Sequence, residues 1–136
     1  MEFKGSDTGE FVAEFATLNV VDHDGDVTLP GAFSQQEVVI EPWNHNWNAP
    51  PVGRGMIRED NGKAIVEGRF FTDTASGLEH YRTVKNLADM QEWSYSFDII
   101  DYEYGNFAGK NVRFLKELDV IGVGPVTRGA GIDTRL

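Results

Sequence analysis

The chain has 136 residues, 12 basic against 22 acidic side chains for a net charge of −10, and no cysteine. The length suits one domain with a core of its own. The missing cysteine excludes disulfides, zinc–thiolate sites and a cysteine nucleophile. The acidic balance lacks the basic footprint of a duplex-binding protein. No apolar run reaches membrane-spanning length and the opening "MEFKGSDTGEF" has no signal-peptide core, so a cytosolic protein with neither membrane nor nucleic-acid partner is expected.

Period-2 alternation dominates, placing apolar side chains on one face of each strand. "EFVAEFATL" (10–18) predicts a strand, "DHDGD" (22–26) a polar turn and "EVVIEPW" (37–43) a second apolar run. "VGRGMIREDNGKAIVEGRFF" (52–71) predicts a hairpin whose Asn61-Gly62 supplies the positive φ angles of a tight turn. Then the period changes. In "TDTASGLEHYRTVKNLADM" (72–90), Leu78, Tyr81, Val84 and Leu87 fall at helical spacing, with Asp73, Thr74 or Ser76 able to cap the start.

"EWSYSFDII" (92–100) alternates again, with Trp93, Tyr95, Phe97 and Ile99 on one face and Ser94, Ser96 and Asp98 on the other. "DYEYGNFAGKN" (101–111) reads as a strand end and a loop. "VRFLKELDVIGVGPVT" (112–127) reads as a long final strand or strand pair, with Gly122, Gly124 and Pro125 marking a bulge or break. The fold class expected is mainly β with α: a small β-barrel or barrel-like sheet with one main helix packed outside. It forms a single domain over 1–136, with 1–9 and 130–136 as flexible ends.

Several side chains could carry chemistry. Asp22, Asp24 and Asp26 offer oxygen ligands, but Gly25 falls too early for an EF-hand loop and the twelfth position is Phe33. A solvated turn is expected there, with no metal or other cofactor. His45, in "WNHNWNAPPVGRG", stands between Trp43 and Trp47 among Asn44, Asn46 and Asn48. It can be a packing histidine or a general base oriented through its other ring nitrogen. Ser94, on the polar face of an aromatic-backed strand, becomes a nucleophile only beside a base. Asp119 and Glu117 share a face with Arg113, either as a surface charge row or as a source of a carboxylate that fixes the His45 tautomer. Sequence spacing alone leaves each alternative open.

Five stretches in order resemble the tailed-phage prohead proteases, the serine proteases that mature capsids during assembly. "VVDHDGDVTLPGAF" (20–33) is similar to the family's N-terminal signature, and "WNHNWNAPPVGRG" to its Trp-Asn-His segment. "IREDNGKAIVEGRFFTDTASGLEHYRTVKN" resembles the hairpin and helix that follow, "LADMQEWSYSFDI" the nucleophile strand, and "FLKELDVIGVGPVTRGAG" the C-terminal stretch. The resemblance runs from about residue 10 to the end. It implies a herpesvirus assemblin-like barrel, His45 as general base and Ser94 as nucleophile. It also implies a third residue some two dozen positions later, which falls on Asp119 with Glu117 as alternative. The backbone N–H groups of Arg128 and Gly129 become the candidates for an oxyanion hole.

The function so implied is a phage capsid-maturation serine endopeptidase that cleaves scaffold or major capsid protein. It would act as a homodimer or larger self-associated form, in the host cytoplasm, inside the assembling prohead. The chain departs from the family where Glu-Val-Ser is usual and Gly122-Val123-Gly124 stands, where Pro-Ala-Asn is replaced by Gly129-Ala130-Gly131, and where Ser96 replaces a glycine. These departures support an alternative, an inactive assemblin-like barrel that binds scaffold or capsid protein. A hydrolase of small esters is disfavoured by the lack of Gly-x-Ser-x-Gly.

Overall fold

The alternating segments form one curled sheet of eight strands, described over residues 2–3 and 8–127 of a computed structural model. The strands are β1 (Glu2–Phe3), β2 (Glu10–Thr17), β3 (Asp26–Thr28), β4 (Gln36–Ile40), β5 (Gly53–Asp60), β6 (Lys63–Phe70), β7 (Glu92–Phe107) and β8 (Lys110–Val126). One principal helix, α1 (Ala75–Leu87), connects β6 to β7. The strand order is β1-β2-β6-β5-β4-β8-β3, and β7 pairs with β8. The expected class, mainly β with one main helix, is the class observed. The ends expected to be flexible, 1–9 and 130–136, lie largely outside the described residues.

The hairpin of β5 and β6 turns at Asn61 (φ 49°) and Gly62 (φ 76°), as the Asn-Gly pair predicts. Thr74 caps α1, its hydroxyl accepting the Gly77 N–H at 2.9 Å. Tyr81 and Val84 are buried against the sheet, with Leu78 and Leu87 half-buried on the same stripe. Inside the curl, Phe11 stacks on Trp93 with ring centroids 4.9 Å apart. Phe15, Phe33 and Tyr95 meet edge-on. Each large side chain so buried contributes about 1.5–3 kcal/mol relative to exposure, so this aromatic cluster sets the phase of β7. Trp93, Tyr95 and Phe97 face inward and the residues between them face outward.

β8 organises the site. It runs antiparallel to β7, and parallel to β3 through 113–115 and to β4 through Gly122 and Val123. The register pairs Ser96 with Gly122 but Phe97 with Val120, leaving Ile121 as a bulge. That extra residue resets the alternation, so Val120 and Val123 are both buried inward while Gly122 and Gly124 face out beside Ser96 and Ser94. The segment 101–111 differs from its expected loop: β7 continues to Phe107 and turns at Ala108 (φ 50°) and Gly109 (φ 86°). This end of the hairpin is largely exposed from Asp101 to Tyr104, so its alternation carries no burial signal to read. Among the described residues, no helix is long and apolar enough to cross a membrane.

Candidate active site

Ser94 and Ser96 lie on the outer face of β7, two residues apart, backed by the buried ring of Trp93 and the core-packed rings of Tyr95 and Phe97. Opposite them stand Gly124 and Gly122, whose missing side chains leave a shallow floor on β8. The chain leaving β4 crosses that floor. Glu41 N–H continues the parallel pairing by donating to the Val123 carbonyl at 2.7 Å. The chain then enters a short 3-10 turn, Trp43–His45.

This turn is strained and held from both sides. Asn44 and His45 both sit at φ 55°, the left-handed region that costs a non-glycine residue about 1–3 kcal/mol and persists only where surrounding contacts enforce it. Those contacts are present. Asn44 Oδ1 accepts the Thr127 N–H at 3.0 Å, fastening the turn to the end of β8. The Trp43 N–H donates to His80 Nε2 on α1 at 3.1 Å.

The result is a compact polar cluster. His45 Nδ1 lies 2.8 Å from Glu41 Oε1, and Trp47 Nε1 donates to Glu41 Oε2 at 2.9 Å. Ser96 Oγ donates to Glu41 Oε1 at 3.1 Å and lies 3.2 Å from His45 Nδ1. The Glu41 side chain is 5% exposed and that of His45 30%. Burial pushes the Glu41 carboxyl up, but hydrogen bonds from His45, Trp47 and Ser96 outweigh it and hold the group below its ordinary value. A carboxylate against Nδ1 selects the Nδ1–H tautomer and leaves the Nε2 lone pair as the basic position.

Of the residues singled out in the sequence, His45 and Ser94 come to the same outer face. Among the described residues, Ser94 Oγ makes no hydrogen bond to His45; such bonds commonly close only in a substrate complex. Asp119 lies opposite Asp98 on the outer face of the β7–β8 ladder, and Glu117 lies opposite Asp101; both are exposed, and neither is among the hydrogen-bond partners of His45. Arg128 and Gly129 lie outside the described residues. Asp22 bonds the backbone N–H groups of Asp24 and Asp26, while buried Asp26 pairs with Arg113 through both carboxylate oxygens at 2.8 and 2.9 Å. Among the described residues, no cluster of histidine and acidic side chains is arranged to hold a metal ion.

Trp47 belongs to the Trp- and Asn-rich segment that the sequence sets around His45, whereas Glu41 and Ser96 have no role in the site that the sequence assigns. A usable signal was there: an acidic residue directly after an apolar strand, four residues before the histidine, and a Gly-x-Gly on a strand, which marks close approach by another backbone.

A sequence profile of the family described as Caudovirus prohead serine protease matches residues 4–136. Searches of curated proteins and of solved structures gave no match. The match spans nearly the whole chain, including the turn with His45 and the strand with Ser94 and Ser96, and the chain belongs to the Caudovirus prohead serine protease family.

Proposed function

We propose that this protein is a capsid-maturation serine endopeptidase in which His45 is the general base and Ser94 the nucleophile. The observation that supports this best is the state of the His45 ring. Its Nδ1 is engaged by a buried carboxylate, and its partly exposed edge adjoins a strand face carrying two hydroxyls. In the proposed reaction, Nε2 takes the Ser94 hydroxyl proton as Oγ bonds to the scissile carbonyl carbon. The same proton passes to the leaving amine as the C–N bond breaks. Water, deprotonated by Nε2, then releases the acyl group and restores the serine.

Membership of the family supports the backbone N–H groups of Arg128 and Gly129 as oxyanion donors, an interaction worth about 3 kcal/mol of transition-state stabilisation. Family membership supports scaffold and major capsid protein as substrates, with action inside the assembling prohead in the host. Self-association is part of the proposal; light scattering that finds only monomer at high protein concentration removes it.

A second reading makes Ser96 the nucleophile, favoured by its 3.2 Å approach to His45. It is the weaker one because that approach is to Nδ1, the nitrogen already occupied by Glu41. Labelling with a fluorophosphonate, with the adduct located by mass spectrometry, decides between them. An adduct on Ser94 that is lost in Ser94→Ala and His45→Ala supports the proposal. An adduct on Ser96 transfers the role. No adduct in a self-associated sample favours an inactive barrel that binds scaffold or capsid protein.

A further inference from the structure

We infer that Glu41 is the residue that positions His45, reaching it from the end of β4 across a floor made by Gly122 and Gly124; the inference rests on the endopeptidase reading above. Asp119 and Glu117 are exposed and make no hydrogen bond to the ring among the described contacts, whereas Glu41 is buried and bonded to it at 2.8 Å. A buried carboxylate is costly unless its oxygens are satisfied. Here His45 and Ser96 serve Oε1 and Trp47 serves Oε2. His45 and Ser96 belong to the turn and the strand that carry the proposed base and nucleophile, and Trp47 lies two residues past that turn.

The floor is shaped for this residue. A Cβ at position 122 would stand 2.8 Å from Glu41 Cγ and 3.1 Å from its carboxylate carbon. A Cβ at position 124 would stand 2.6 Å from the Glu41 carbonyl oxygen. Neither glycine adopts a positive φ, so what glycine supplies at both positions is space, not backbone freedom. One of them clears the Glu41 side chain and the other its backbone.

Ser96 fits the same scheme as a second positioning residue. Its hydroxyl donates to Glu41 Oε1 at 3.1 Å and braces the carboxylate from the β7 side. It therefore shares the Glu41–Nδ1 junction and leaves Nε2 free for Ser94. The spacing of the two hydroxyls along one strand face divides the roles: the one at the junction holds the ring, the other faces the substrate.

The test combines kinetics with a tautomer measurement. The rate of fluorophosphonate labelling and the imidazole ¹⁵N shifts of His45 are recorded for wild type, Glu41→Gln, Glu41→Ala, Asp119→Asn and Glu117→Gln. Glu41→Gln is expected to slow labelling by roughly 100-fold or more, because a carboxamide can turn its N–H toward Nδ1 and favour the wrong tautomer. The ¹⁵N shifts are expected to report the loss of the Nδ1–H form in that variant.

Labelling of Glu41→Gln within about threefold of wild type with the tautomer unchanged overturns the inference, as does a greater loss in Asp119→Asn or Glu117→Gln. If wild type does not label in a self-associated sample, the endopeptidase reading falls, and the ¹⁵N shifts still decide whether Glu41 sets the His45 tautomer.

Discussion

His80 Nε2 accepts the Trp43 backbone N–H at 3.1 Å, while the other ring nitrogen, Nδ1, donates to the Ser76 carbonyl one helical turn back at 2.7 Å. The two bonds fix the His80 tautomer and tie α1 to the first residue of the turn that holds His45. Helix and site are thereby coupled through one imidazole, although His80 itself makes no contact with the Glu41 cluster among the described hydrogen bonds. His80→Ala should destabilise the protein by about 1–3 kcal/mol, because two hydrogen bonds of roughly 0.5–1.5 kcal/mol each are lost. It should slow fluorophosphonate labelling more than that stability loss explains, because the strained turn loses one of its two anchors. Urea denaturation and labelling rates on one preparation check this, and equal rates in variant and wild type count against the coupling.

Glu41 predicts an acid limb in stability. Its carboxyl lies below its ordinary value of 4.5 in the folded protein, the three donors outweighing the burial that opposes them. A carboxyl depressed on folding contributes stability that is complete above the unfolded value and is lost as pH falls through the lower folded value. Wild type should therefore weaken across that acid range, while Glu41→Gln lacks this component. The two curves should differ at neutral pH and approach each other in acid. Unfolding free energies from denaturant titrations between neutral and acid pH check the convergence; a constant offset at all pH values contradicts it.

Asp98 and Asp119 are directly paired across β7 and β8, and both are exposed. Like charges opposite one another on an antiparallel ladder are destabilising, and an opposite-charge pair there contributes roughly 0.2–1 kcal/mol. Asp119→Lys should raise the denaturation midpoint. In an Asp98→Ala background that gain should shrink to nearly nothing, and a gain that survives there would trace to net charge and not to the pair.

Much of the fold is legible where the chain states its period plainly. The Asn61-Gly62 hairpin, the Thr74-capped helix and the serine-out, aromatic-in alternation of β7 follow from local pattern and turn chemistry. Glu41 was hidden for a different reason. It reaches His45 four residues on through a left-handed turn and not a helix, and it meets Gly122 and Gly124 through a parallel pairing that links positions far apart in sequence. The single-residue bulge at Ile121 also changes which residues of β8 share a face. Counting two dozen positions from Ser94 therefore lands on the outer face of β8, at Asp119, outside the polar cluster that Glu41 joins from the end of β4. Long-range register, set by core packing, decides what local spacing cannot.

Gly77 gives a prediction that reverses the usual propensity rule. It lies in the first turn of α1 and is buried. In an ordinary helix position, alanine is favoured over glycine by about 1 kcal/mol. Here a Cβ would run into the carbonyl oxygen of Phe71 and stand 2.7 Å from Thr74 Oγ1, the atom that caps the helix through the Gly77 N–H. Phe71 is itself fixed by donating its N–H to the Val52 carbonyl at 2.8 Å, so the obstructing backbone cannot yield cheaply. The overpacking cost of about 1–3 kcal/mol, together with a weakened cap worth about 1 kcal/mol, exceeds the propensity gain. Gly77→Ala should destabilise by about 1–3 kcal/mol. Thr83→Ala, at an exposed position of the same helix, should instead stabilise by a few tenths of a kcal/mol up to about 0.7 kcal/mol. Urea midpoints of the two variants should therefore move in opposite directions from wild type, and movement in the same direction would mean that α1 does not abut the Phe71 carbonyl as described.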